Sequence, residues 1–356
     1  MEAVAADTRV HLPGFAPDLR QIDPRDANLQ AGLEHSFATG PARHQAFIGL
    51  DLERWRFHEV FTGDGAEVAE LNYEYRQALT LQDMVSAGPW RVRLSVQRGR
   101  IPERVRVSQR SRVSAPLPAT NWDAGVLYRW SPAVSVYAGS QFGIETDNRR
   151  AGLVLNDGRE PPDTTLRQTQ AGLKSELLDG RLALTFEAFR MREANRLLGS
   201  PGVSLVSLPG AAVNGAEFEL TGRPHPGLDL HLGLALTGGR SQGNLPLGWV
   251  PARALRLLAR YQLPEAVLMD TRLGLATMAN SSTRVYGLSG AAGDPYLHLP
   301  GGARIDLSLE RRFGPWSVNA AVSNVFDRQF YGTVSDPAAV PVLPGRRATL
   351  TATFRN

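Results

Sequence analysis

Cysteine is missing from this 356-residue chain, which removes disulfides, thiolate metal sites and cysteine nucleophiles together and leaves the redox compartment undecided. Lysine is nearly missing too: Lys174 stands alone among 39 lysines and arginines. Against 35 acids this leaves a formal net charge of +4, small and dispersed along the chain. A nucleic-acid binder concentrates its cations on one element with aromatics between them, and no such block is present, so nucleic acid is not expected as a partner. The excess reads as arginine written for lysine, with an anion-attracting surface as the alternative. No run approaches the ~18 apolar residues of a membrane helix. Met1 to Val10 carries Glu2 and Asp7 and lacks the basic and apolar regions of a secretory signal. Helical membrane proteins are thereby excluded, but membrane strands are not, since each needs only ~9–11 residues of alternating character.

Catalytic signatures are also lacking. His11, His35, His44, His58, His225, His231 and His298 are scattered without a His-Glu-x-x-His or other paired spacing, so no metal site is expected. There is no Gly-x-Ser-x-Gly elbow, and Lys174 lies outside any phosphate-loop pattern. The expectation is no enzyme, no catalytic residue and no cofactor. A lumenal Ser/His pair drawn from different strands, which leaves no spacing signature, is the one enzymatic alternative.

What the chain does have is glycine and alternation. With 35 Gly and 24 Pro, about one residue in six is a helix breaker, too many for a helical bundle. From Leu228 to Leu236 every odd step away from leucine is small, polar or charged: Leu228, Leu230, Leu232, Leu234 and Leu236 hold one parity, and Asp229, His231, Gly233 and Ala235 the other. The same period of two runs through Ile305, Leu307 and Leu309 against Arg304, Asp306, Ser308 and Glu310, and through Trp316 to Val322. Repeated along the chain, this gives about 15–16 strands.

The connections alternate in length. Short turns fall at Gly40-Pro41, Gly88-Pro89, Ser131-Pro132, Asp179-Gly180, Pro224 to Pro226, Pro264 and Gly314-Pro315. Between them lie long polar stretches at Arg100 to Asn121, Gly143 to Thr165, Asn195 to Gly210, Ser281 to Gly302 and Asp327 to Arg346, which read as loops. A sandwich of Greek keys has no reason to gather its long loops at one end, whereas an up-and-down outer-membrane barrel does. The fold class is therefore all-β: an antiparallel up-and-down outer-membrane β-barrel, partial in strand number. Residues 1–29 read as an irregular segment with room for one remnant strand, and 30–356 as the barrel portion. In that reading the leucine face meets outer-membrane lipid. Arg91, Arg93, Glu217, Glu219, Arg256, Arg260, Asp270, Arg272, Arg304, Asp306 and Glu310 line the lumen, because a lysine or arginine at the bilayer midplane costs about 2–4 kcal/mol. Tyr128, Trp130, Tyr261, Phe313, Trp316, Phe330 and Phe354, near strand ends, are expected to form an interfacial girdle.

Asn324-Val325-Phe326-Asp327-Arg328-Gln329-Phe330-Tyr331 resembles the Asn-Leu-Phe-Asp-x-x-Tyr run of TonB-dependent outer-membrane receptors, in their ferric-siderophore branch. Pro161-Pro162-Asp163 with Gln168 to Lys174 is similar to that family's Pro-Pro-Glu and Gln-x-Glu-x-Gly-x-Lys, with Gln170 in place of the Glu. Asn195, Asn214-Gly215-Ala216-Glu217-Phe218-Glu219, Val250-Pro251-Ala252-Arg253 and the closing Pro344-Gly345-Arg346-Arg347 fall in family order. Asn324, Phe326, Asp327 and Tyr331 are read as structural.

The resemblance implies a ferric-siderophore receptor of the Gram-negative outer membrane, delivered by the barrel assembly machinery and energised by the TonB complex in the intact protein. The same resemblance assigns TonB contact to an N-terminal plug region, and this chain is expected to be the barrel portion without it. The alternatives are a barrel fragment from a truncated gene, non-functional or an ungated pore, and a receptor for another ligand such as cobalamin, haem, nickel or sugar. Ferric siderophores combine negative charge with aromatic chelating groups. Arg149, Arg150, Arg196, Arg284, Tyr286, Tyr296 and His298, all in the long stretches, are therefore the candidate ligand contacts.

Overall fold

The computed structural model describes residues 18–355 except 64–65, 102, 108–109, 114–116, 146–154, 156, 160–161, 201–203, 209, 242–249, 287–295 and 333–339. Fifteen longer strands carry the fold. The first four are β1 (Asp18–Thr39), β2 (Ala42–Gly63), β3 (Ala66–Ala87) and β4 (Trp90–Ile101). Two short strands, β5 (Glu103–Val107) and β6 (Arg110–Val113), precede β7 (Leu117–Ser131), β8 (Val134–Glu145), β9 (Thr164–Leu177) and β10 (Leu182–Ala194). After the short β11 (Arg196–Ser200) and β12 (Ser204–Leu208) come β13 (Ala211–His225), β14 (Leu228–Ser241), β15 (Arg253–Gln262) and β16 (Thr271–Asn280). The short β17 (Thr283–Tyr286) and β18 (Tyr296–Leu299) lead to β19 (Gly302–Phe313), β20 (Trp316–Ser323) and β21 (Arg347–Phe354). Among the described residues the one α-helical segment is the single turn Glu265–Leu268.

The chain divides into two compact units. In the first, β1, β2 and β3 pair antiparallel in sequence order, β4 pairs with the second half of β3, and β5 pairs with its first half. In the second, β13, β14, β15, β16, β19, β20 and β21 each pair antiparallel with the next. Both are meanders, as an up-and-down sheet requires.

Local chemistry explains the short connections. Thr39 pairs with Ala42, Ala87 with Trp90, and Phe313 with Trp316, leaving the two-residue loops Gly40-Pro41, Gly88-Pro89 and Gly314-Pro315. The glycines have φ of 57°, 57° and 56°, and proline supplies the fixed negative φ after them. Glycine first at positive φ is the hairpin turn whose twist matches that of the strands.

Three of the stretches read as loops contain strands. Arg100 to Asn121 holds the β5–β6 hairpin, Asn195 to Gly210 holds β11–β12, and Ser281 to Gly302 holds β17–β18. Each short run alternates, as in Arg104-Val105-Arg106-Val107, but at four or five residues it is easily passed over in a polar surrounding. The first three strands are also longer than a membrane span needs, at 22 residues each.

The two faces separate as expected from parity. In the second unit, Leu232 stands beside Leu220 and Leu257, Leu275 beside Ala259 and Leu307, and Val322 beside Leu307 and Ala348. Among the described residues this apolar face has no protein cover: the buried hydrophobics are Ala78, Ala119, Leu182, Ala211, Leu299 and Phe330, and none belongs to the leucine row. Leu234, Leu236, Leu307 and Leu350 are exposed. The opposite parity carries Arg256 and Arg260 on β15 and Arg304 and Asp306 on β19, on either side of β16. Trp130, Phe313, Trp316 and Phe354 are exposed beside short turns, with the Trp316 and Phe354 rings 5.0 Å apart. Phe330 departs from the girdle expectation. It is buried at 4% exposure, because its segment folds back into the last long stretch.

Candidate functional site

Four of the seven candidate ligand contacts come together on one ribbon. In β17–β18, Arg284 pairs with His298 and Tyr286 with Tyr296, so all four occupy one parity. The other parity holds Thr283, Val285, Leu297 and Leu299. Leu299 is buried at 5% exposure and packs with Leu297, Tyr331 and Val340, which seats the apolar side of the ribbon on the last long stretch. Arg284 and His298 are exposed. At the base of the ribbon, Ser281 N–H donates to the Arg253 carbonyl at 2.9 Å, and the Ser281 hydroxyl accepts the Arg253 N–H at 3.1 Å. Arg196 opens β11, opposite Leu208. Arg149 and Arg150 lie outside the described residues.

The support beneath the ribbon is built by Asn324. This residue leaves β20 at a φ of 51°, a conformation that asparagine tolerates better than most residues, and it is 1% exposed. Its Nδ2 donates to the carbonyls of Arg328 at 2.8 Å and Pro344 at 3.3 Å, and its Oδ1 accepts the Arg328 N–H at 3.0 Å. Its own N–H donates to Asp306 Oδ1 at 2.7 Å, and the same oxygen accepts Arg304 Nε at 2.9 Å. Asp327 continues the knot, accepting the Arg346 N–H at 2.7 Å. Tyr331 bridges Val342, and the Leu343 N–H donates to the Phe330 carbonyl at 2.8 Å. The two ends of the stretch from Asp327 to Arg346 are thus tied together, and Tyr331 is held against Leu299. Phe326, by contrast, is 65% exposed.

Asn195 repeats the device at the end of β10. It has a φ of 60°, its Nδ2 donates to the Asp163 carbonyl at 3.0 Å, and its carbonyl accepts the Thr164 hydroxyl at 3.0 Å. In both places an asparagine at positive φ fastens a strand exit, Asn324 to the far end of the stretch that follows it and Asn195 to the entry of the neighbouring β9.

Polar pairs cover the face opposite the leucines. Arg223 Nε lies 2.5 Å from Asp229 Oδ1, and Thr221 Oγ1 lies 2.7 Å from His231 Nδ1. In the first unit Arg93 lies 2.8 Å from Asp123. Such a face wets readily and offers hydrogen bonds along its length. Among the described residues no group of three or more His, Asp or Glu is placed to hold a metal.

The comparisons with known proteins fit this construction. Residues 6–325 match the family model described as TonB dependent receptor-like, beta-barrel. The chain belongs to this family. Its members are outer-membrane proteins of Gram-negative bacteria, and the relatives found are transport receptors. The metal-pseudopaline receptor CntO of Pseudomonas aeruginosa is 25% identical over 370 residues, covering 88% of this chain and 48% of that protein. The chain therefore spans about half the length of the curated relatives it matches. In fold, this TonB-dependent receptor barrel is similar to the ferric-catecholate import receptor Fiu of E. coli K12, with a TM-score of 0.76 at 17% identity, covering 95% of this chain and 55% of that one. It is also similar to the ferric citrate transporter FecA, with a TM-score of 0.78 at 14% identity, covering 95% and 57%.

Proposed function

We propose that this chain is the barrel part of an outer-membrane receptor that captures a ferric siderophore at its long-loop end. In the intact protein, the plug and the TonB contact would release the ligand inward, with no bond made or broken. The carrying observation is the β17–β18 ribbon, which sets Arg284 opposite His298 and Tyr286 opposite Tyr296 on one parity. Guanidinium and imidazole groups attract and hydrogen-bond an anionic chelate, and tyrosine rings stack on its aromatic groups. The apolar anchor of Leu299 on Tyr331 and Val340 holds the ribbon backbone in place before ligand arrives, which lowers the ordering cost of capture.

A second reading has its own support. The curated relative binds a metal-pseudopaline, so a transition metal in another anionic chelator is the alternative cargo. A fluorescence titration of the full-length protein in detergent separates the two. The first reading expects saturable binding of an iron-loaded catecholate or hydroxamate, and much weaker binding of the iron-free chelator. Binding confined to nickel or zinc complexes of an aminocarboxylate replaces it with the second. No saturable binding of any of these overturns both.

A further inference from the structure

One polar group interrupts the apolar face of the first unit. From the Gly40-Pro41 turn, the rows of that face hold Phe37 beside His44, Val85 and Val92, then His35 beside Ala46, Asp83 and Leu94, then Leu33 beside Ile48, Leu81 and Val96. Within them three side chains join in series. Thr39 Oγ1 lies 2.7 Å from His44 Nε2, and His44 Nδ1 lies 2.8 Å from Asp83 Oδ2. An ionised carboxylate only accepts, so Nδ1 carries the proton and Nε2 accepts the Thr39 hydroxyl. The Phe37 ring stacks on the His44 imidazole, centroids 4.6 Å apart and planes 2° from parallel, which holds the imidazole in this orientation.

A hairpin of this build does not need such a group. The Gly88-Pro89 and Gly314-Pro315 turns have the same two-residue form, and the positions there that match Thr39 and His44 are Ala87 and Val92, and Phe313 and Val318. All four are apolar. An ionisable side chain on a lipid-facing surface is costly, and such residues mark function. Beside the group, Ile48, Leu81, Leu94 and Val96 line an open hollow of about 380 Å³, with His35 and Asp83 on its row nearer the turn. Thr39 is exposed. Gly40 follows it outside the strand ladder, which closes at Thr39 and Ala42, and has open space where a side chain would stand.

We propose that Thr39, His44 and Asp83 form a hydrolytic site for the acyl esters of membrane phospholipid. The inference goes beyond ligand capture and rests on the receptor reading only for placing this face in a bilayer. The substrate class follows from the order of chemistry along the face: an apolar hollow, then the hydroxyl, imidazole and carboxylate, then a turn. A phospholipid has the same order, with its ester carbonyls between hydrocarbon chain and headgroup. Thr39 Oγ1 bonds to the ester carbonyl carbon while His44 Nε2 takes its proton. The bond from that carbon to the glycerol oxygen then breaks, and the leaving oxygen takes the proton from His44. Water next attacks the threonyl ester, passes one proton through His44 back to Thr39, and releases the fatty acid. Asp83 is a positioning residue that holds the imidazole tautomer, and the Gly40 N–H, following the nucleophile, is the donor for the developing oxyanion.

The test uses the full-length protein in nanodiscs of dioleoyl phosphatidylcholine, with released oleate measured by mass spectrometry. Wild type and Thr80→Val, which removes a hydroxyl from the opposite face of β3, are expected to release oleate alike. Thr39→Val and His44→Gln should release it about a hundredfold more slowly, the scale of a lost general base. Asp83→Asn keeps an acceptor for Nδ1–H but loses the charge, so kcat should fall while KM holds. Heat-modifiable mobility on a gel reports in parallel whether each variant is a folded barrel. A folded wild type that releases no oleate, or a folded Thr39→Val that releases it at the wild-type rate, overturns the site and leaves ligand capture standing. An unchanged kcat in Asp83→Asn removes Asp83 from it. A wild-type chain that does not enter the bilayer overturns the receptor reading and the hydrolytic site with it.

Discussion

Asn324 and Arg328 hold each other twice, through Nδ2 to the Arg328 carbonyl at 2.8 Å and through the Arg328 N–H to Oδ1 at 3.0 Å. One buried side chain thereby closes the exit of β20 and the return of the chain before β21. Asn324→Ala removes the three hydrogen bonds made by a buried side chain and puts a Cβ residue without a side-chain hydrogen bond at positive φ. It is expected to cost about 3 kcal/mol in urea unfolding of the detergent-solubilised barrel. Asn324→Gly relieves the backbone strain and should be about 1 kcal/mol milder. Equal stability of wild type and both variants would show that the knot is not a structural support.

The uncovered leucine face makes a directional prediction. Leu234 is 41% exposed and sits midway along β14, with Phe218 and Leu255 opposite it. If this face meets hydrocarbon, Leu234→Arg lowers barrel stability by about 2–4 kcal/mol. Ala235→Ser, on the polar parity, should change it by less than about 0.5 kcal/mol. Stability measured in lipid vesicles distinguishes this from a water-facing sheet, in which Leu234→Arg is harmless.

Ligand capture is checked on the ribbon. Replacing both Arg284 and Tyr286 by Ala is expected to weaken ferric-siderophore affinity at least tenfold, or about 1.4 kcal/mol, in a binding titration. Leu299→Ala touches neither group but loosens the seat on Tyr331 and Val340, so it should weaken affinity by a smaller factor. Unchanged affinity in the double variant removes both residues from the site.

Acid should release a smaller tie in the stretch before β9. Arg159 donates to the Asp157 carboxylate through Nε at 2.8 Å and Nη2 at 2.5 Å, and through its backbone N–H at 3.1 Å. These bonds, the side-chain ones foremost, hold the Asp157 carboxyl below the usual carboxylate range. A carboxyl lowered in the folded state stabilises the turn at pH above its ordinary value and loses that contribution as pH falls through the lowered one. The Gly158 and Arg159 amides should therefore keep their exchange protection at pH 5 and lose it on strong acidification. Asp157→Asn should show the same low protection at both pH values.

Much of the fold was legible because period-two patterning is local. Leu228 to Leu236 declares its faces without reference to any partner, and each Gly-Pro pair declares a two-residue turn from its own backbone preferences. The site was legible only in part. Tyr296-Leu297-His298-Leu299 alternates, yet four residues are too few to separate a strand from a loop. The pairing of Arg284 with His298 depends on a register set by residues on both sides of it. Phe330 was misplaced for the same reason: its position near a strand end says nothing of the loop that folds over it.

The sequence by itself determined the strand faces, the short turns and the family, since all three follow from neighbours a few residues apart or from short motifs in order. Tertiary structure decided which distant residues meet. It set Asp306 against Asn324, seated Leu299 on Tyr331, and paired Arg284 with His298. The physical reason is register: shifting one strand by a single residue would leave every local pattern intact while sending each arginine of that strand to the opposite face.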